Sequence, residues 1–300
     1  VLTGSVYGIL VAYYHKEGYI MATKKATSTN KKASVKKTST SPSVAKTTVK
    51  TISATAPAKA GLSAHLENSI SSKTLWRALA AEFIGTFLLA SIVVAGQGQP
   101  IFVLFGLVGI VLLIGAVSGA HVNPAMTIGA WATRRIGWLR AIAYIVVQLL
   151  GAAVAYFALN AFIGGANEVS AQAQAYGQAA PTLYAAVDIA KLGGKEWFLF
   201  FSELLGASIL AFALAAAIRN RDRLTGAFTY GIGIFIALMI TITVAGYVSG
   251  SAILNPAVAL SLQAYQPSVW AYVVYALAPI VGGVLGFIIH DLIRGRNAEV

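Results

Sequence analysis

The chain contains no cysteine. Disulfide frameworks, thiolate metal sites and thiol nucleophiles are therefore excluded. Charge is nearly as scarce: Asp, Glu, Lys and Arg together supply 11% of the 300 residues. The four histidines fall at positions 15, 65, 121 and 290 with no metal-ligand spacing, and no nucleophile–base pair or phosphate-binding glycine loop is present. No catalytic residue, metal site or cofactor is expected.

What is abundant is apolar. Hydrophobic residues make up 57% of the chain and the mean hydropathy is +0.73, the balance of a polytopic membrane protein rather than a soluble domain. The net charge of +12 is uneven, because residues 1–74 hold 11 lysines against only Glu17 and Glu67. Residues 1–20 lack the basic region that opens a cleavable signal peptide. Met21 is expected to be the physiological start, with residues 1–20 upstream of it. Residues 22–60 are Lys, Thr, Ser, Ala and Pro with almost no large hydrophobes, too little to offset the entropy of ordering. Residues 1–74 therefore read as a disordered Lys-rich tail, either simply solvated or in contact with anionic lipid headgroups.

Apolar runs follow at about 75–97, 101–117, 138–164, 196–219, 225–247 and 269–293 and read as membrane spans, the second being short for a full crossing unless it begins earlier or tilts little. The basic residues orient them. Placing both termini inside gathers the tail, Arg134, Arg135, Arg140, Arg219, Arg221, Arg223, Arg294 and Arg296 on the cytoplasmic side. Only Lys191 and Lys195 then remain outside. The membrane part is expected over 75–295, with a short cytoplasmic C-terminus at 296–300.

Two related segments interrupt the spans. Residues 118–125 read S-G-A-H-V-N-P-A and residues 249–257 read S-G-S-A-I-L-N-P-A. Asn is a favoured helix N-cap and Pro a favoured first helical residue. Asn123-Pro124 and Asn255-Pro256 therefore each begin a short helix, expected over about 123–133 and 255–265. At about 1.5 Å per residue, ten residues reach about half of a hydrocarbon core. Two such half-helices entering from opposite faces would meet near the midplane, each presenting an Asn amide and a positive dipole end.

The rest of the chain repeats in step. A-E-F-I-G around Glu82 matches S-E-L-L-G around Glu203, Gly106 after Phe105 matches Gly231 after Tyr230, and Gly151 matches Gly282. The repeats cover about 75–164 and 196–293. Each holds three spans, an odd number, so the two are inverted relative to one another. The fold class is an all-α membrane protein with six transmembrane helices and two half-helices. Glu82 and Glu203 are ionisable groups within apolar spans. The loops entering the half-helices expose backbone N–H groups at membrane depth, and these need buried acceptors. His121, two residues before Asn123, braces its loop, and Gln148 is read as an interhelical hydrogen bond.

The paired N-P-A boxes, the E-F-I-G-T and S-E-L-L-G segments and the six-span inverted repeat resemble the aquaporin and major intrinsic protein family over about residues 75–295. The resemblance implies a passive channel in the plasma membrane, assembled as a homotetramer and passing water and other small neutral solutes such as glycerol or ammonia. The boxes Asn123-Pro124-Ala125 and Asn255-Pro256-Ala257 would orient solute at mid-depth, with Glu82, Glu203 and His121 as structural supports. Phe105, Ile242, Ser251 and Val258 would fall near the outer constriction, with Thr243 and Ala252 as alternatives for two of them. The sequence departs from the family there. Most members carry Arg directly after the second box, and here that position is Val258. No Lys or Arg lies between Arg223 and Arg294, so the constriction is expected to lack its fixed charge. A second reading stays open: a pore-poor scaffold or adhesion protein that keeps the fold.

Overall fold

A computed structural model describes residues 71–163, 172, 175–177 and 182–295, all within one compact unit, Pro57–Val300. The tail up to residue 70 and the last five residues lie outside the described residues, so the expectations for them stand as made. Six helices are long and apolar enough to cross a membrane. They are α1 (Lys73–Ala95), α2 (Pro100–Ser118), α4 (Trp138–Ile163), α5 (Glu196–Arg219), α6 (Arg223–Tyr247) and α8 (Val269–Arg294). Between them lie two short helices, α3 (Pro124–Ala132) and α7 (Pro256–Ser261). The order long–long–short–long occurs twice, which is the inverted repeat that the sequence shows.

Packing follows the repeat. α1 lies against α2 and α4, α5 against α6 and α8, and α2 against α6 across the two halves. The half-helix α3 packs on α8 and α4, while α7 packs on α4 and α1. Close approach depends on glycine at matched positions. A Cβ on Gly151 of α4 would stand 2.5 Å from the Phe83 carbonyl of α1, and one on Gly282 of α8 would stand 2.2 Å from the Leu204 carbonyl of α5. Phe83 and Leu204 each follow the buried glutamate of their helix, so these glycines seat the glutamate-bearing helices against the bundle.

The half-helices end by the same device. Arg134 and Gln263 take left-handed φ of 60° and 55°. The next N–H then reaches back five residues, from Arg135 to the Ala130 carbonyl at 2.8 Å and from Ala264 to the Ala259 carbonyl at 2.9 Å. This closure usually employs glycine. Without one to mark it, α7 was expected to run to about residue 265 and instead stops at Ser261.

α8 contains a π-helical segment, Val273–Leu277. Pro279 has no N–H to offer the Tyr275 carbonyl, and a wider turn relieves the ring. The Tyr265 hydroxyl stands 3.2 Å from that carbonyl. At the other end of α8, Arg135 meets Asp291 at 2.6 Å with its guanidinium over the Phe287 ring, and Arg219 donates to the Gly295 carbonyl. The arginine-rich connections thus collect at the end of the bundle where α8 finishes.

Candidate functional site

The two asparagines cap the half-helices and reach across to one another's loops. Asn123 Oδ1 accepts from the Ala125 N–H at 2.8 Å, and Asn255 Oδ1 accepts from the Ala257 N–H at 2.9 Å. With its oxygen engaged, each amide turns its nitrogen outward. Asn123 Nδ2 donates to the Leu254 carbonyl at 3.0 Å, and Asn255 Nδ2 donates to the Val122 carbonyl at 2.9 Å. A carboxamide carries two N–H groups. One is used in this exchange, and the other has no partner among the described residues.

The loops hold this arrangement at a conformational cost. Val122 and Leu254 have φ of 43° and 61°. Left-handed backbone at non-glycine residues costs on the order of 1–3 kcal/mol each and persists only where its surroundings impose it. Glu82 Oε1 accepts from His121 N–H at 2.9 Å, and Oε2 accepts from Val122 N–H at 2.7 Å. Glu203 does the same for the other loop, accepting from Ile253 N–H at 2.6 Å and Leu254 N–H at 2.7 Å. Both carboxylates are fully buried. Gly85 and Gly206, each one turn beyond its glutamate, leave room for the Val122 and Leu254 side chains, which an added Cβ would meet at 2.7 and 2.5 Å.

The first half carries more polar support than the second. Gln148 Nε2 donates to Glu82 at 2.8 Å and lies 3.0 Å from the Thr127 hydroxyl. His121 Nδ1 lies 3.2 Å from the same hydroxyl, and its ring stands edge-on to Tyr144, whose hydroxyl donates to the Ser118 carbonyl. In step with the repeat, Gln148 corresponds to Pro279, His121 to Ile253 and Thr127 to Ala259. The second loop relies instead on tyrosines: Tyr265 donates towards the Pro256 carbonyl at 3.0 Å and Tyr275 to the Ser251 carbonyl at 3.4 Å. These tyrosines were not singled out from the sequence, where an aromatic in an apolar run looks like core.

The four residues expected near the outer constriction separate into two pairs. Val258 and Ser251 are interior, 2% and 4% exposed. Val258 N–H approaches Asn255 Oδ1 at 3.4 Å, and the Ser251 hydroxyl accepts from Val187 N–H at 3.0 Å. That last bond ties the connection before α5 to the second loop. Ile242 is 38% exposed and sits at the edge of the buried arc of α6. Phe105 is 59% exposed and shares a stripe with Phe102, Leu113 and Val117 on the outer side of α2. The expectation for Phe105 came from the F-G pair. The chain is about two residues short before Asn123, and a two-residue shift turns a helix by about 200°. Val103, buried, is the residue on the inward face at that level.

Among the described residues, no group of three or more His, Asp or Glu side chains could hold a metal ion. The chemistry on offer is hydrogen bonding: two spare amide N–H groups and the carbonyls of two strained loops.

A family model described as Major intrinsic protein matches residues 69–290. Glycerol uptake facilitator protein-like 6 of Lactiplantibacillus plantarum is 34% identical over 220 residues, covering 68% of this chain and 92% of that protein. Nodulin-26 of Glycine max is 29% identical over 244 residues, covering 76% and 81%. Among solved structures, the aquaglyceroporin from Plasmodium falciparum matches with a TM-score of 0.53 at 24% identity, over 72% of this chain and 96% of that one. At that identity the last likeness is one of fold.

Proposed function

Because the chain belongs to the major intrinsic protein family, a family of membrane channels, we propose that it is a passive channel for water and at least one other small neutral solute. The observation that carries this reading is the reciprocal asparagine pair, with two N–H groups that have no partner among the described residues. A solute oxygen reaching them would accept from both halves of the repeat. Glycerol and ammonia are the first solutes to try, and glycerol is supported by the likeness to a glycerol uptake facilitator-like protein.

Val258, Ser251 and Ile242 are proposed to contribute to the outer constriction, with Val258 in the position where most relatives carry Arg. Glu82, Glu203 and His121 are proposed as supports of the loops rather than carriers of protons, since the carboxylates are engaged by backbone donors. A plasma-membrane location is proposed by family resemblance, and both termini are proposed to be cytoplasmic because arginines cluster at one end of the bundle. A homotetramer is proposed by family resemblance. The Lys-rich tail is proposed as a dispensable solvated segment or a headgroup contact.

Stopped-flow shrinkage of proteoliposomes after an osmotic step tests the channel reading. Faster equilibration than protein-free vesicles is expected for water and for glycerol or ammonia. Rates equal to protein-free vesicles for all three solutes would overturn it and favour the pore-poor reading.

A further inference from the structure

A cavity of about 200 Å³ lies between α2, α5 and α6, with Asn220, Asp222 and Arg223 at the α5–α6 connection and Gly119 and Tyr230 among its lining. Arg223 opens α6, and Tyr230 lies seven residues further in, about 10 Å along the axis. Gly119 begins the loop that leads to Asn123. The cavity therefore runs from the arginine-rich end of the bundle to the foot of the first asparagine loop.

It stops at Tyr230. The ring is 1% exposed although it lines the cavity, and its hydroxyl donates to the His121 carbonyl at 3.3 Å. His121 stands two residues before Asn123, and Glu82 accepts its N–H. Glu82 also accepts from the Val122 N–H, which shares a peptide with the His121 carbonyl, so that carbonyl is an acceptor held fixed two residues before Asn123. Tyr230 occupies that acceptor. The matching position of the first half is Phe105, which lies on the outer side of α2, so the repeat supplies no second copy of this contact.

We infer that Tyr230 is a specificity-determining constriction on the arginine-rich side of the asparagine pair, where a solute must displace its hydroxyl from the His121 carbonyl and pass its ring. Small solutes that both donate and accept hydrogen bonds replace the lost bond as they pass, whereas larger ones meet the ring. The inference rests on the channel reading. It adds to it a second filter, separate from Val258.

Two variants and one chemical probe test it in proteoliposomes. Tyr230→Phe keeps the ring and frees the carbonyl, and water flux is expected to rise about fivefold, the worth of one modest hydrogen bond. Tyr230→Ala also removes the ring, and glycerol flux is expected to rise by more than water flux. Should Tyr230→Ala yield no folded protein, Tyr230→Phe still decides the matter. The absence of cysteine permits an independent probe: Ala116→Cys places a thiol on the cavity wall. A methanethiosulfonate reagent is expected to lower its flux and to leave the cysteine-free parent unaffected. A conducting parent whose water and glycerol fluxes are unchanged in Tyr230→Phe, or a fully modified Ala116→Cys protein with undiminished flux, overturns the inference alone. Folded parent and variants that all match protein-free vesicles overturn the channel reading on which it rests.

Discussion

Val122 and Leu254 hold one another's asparagine. The Val122 carbonyl accepts from Asn255, and the Leu254 carbonyl accepts from Asn123. Each of the two residues has left-handed φ, and each gives its N–H to the buried glutamate of its own half. The exchange adds a reciprocal pair of hydrogen bonds between the two repeats and sets the direction of both amides. Four expectations follow from this arrangement and from the packing around it.

Glu203→Gln is expected to destabilise the protein by about 1–3 kcal/mol, because an amide offers one oxygen where the carboxylate offers two. Either the Ile253 or the Leu254 N–H then faces an NH₂ group in a buried site. Thermal unfolding in detergent, compared with the parent, measures the loss. An unchanged unfolding temperature would show that the second loop does not depend on the carboxylate.

Gly282→Ala is expected to lower the yield of folded protein, with a cost of about 1–3 kcal/mol for overpacking against backbone. Its Cβ would stand 2.2 Å from the Leu204 carbonyl, whereas a Cβ at Gly109 meets nothing within 4 Å. Gly109→Ala is therefore the control and should behave as the parent. Equal size-exclusion profiles for both variants would mean that α5 and α8 can separate without loss.

Val258→Arg is expected to lose glycerol and ammonia flux while keeping some water flux, since a guanidinium there is bulkier than the valine and adds donors. The measurement is the three-solute flux profile of the variant beside the parent. An identical profile would remove Val258 from the constriction.

Much of the fold was legible in the sequence because membrane depth imposes simple rules. Run length marks the six spans, and α4 and α5 start at the expected residues, Trp138 and Glu196. Asn-Pro marks both half-helix starts, since that pair combines a cap with a residue that needs no N–H. The end of α7 was not legible, because Gln263 adopts a conformation that glycine usually announces. The facing of α2 was not legible either: Phe105 and Val103 are both apolar, and only packing against α1 and α6 decides which turns inward. Contacts such as Gln148 with Glu82 and Tyr230 with His121 join residues 66 and 109 apart, and depend on helix rotations that periodicity in a uniformly apolar span does not encode.

Solute is proposed to pass between the two asparagines. The direct measurement is a high-resolution crystal structure of the protein grown in glycerol. One solute or water oxygen is expected within about 3 Å of both Asn123 Nδ2 and Asn255 Nδ2, on the N–H groups not used for Leu254 and Val122. Side chains filling the space between the two amides, with no oxygen near either, would contradict it.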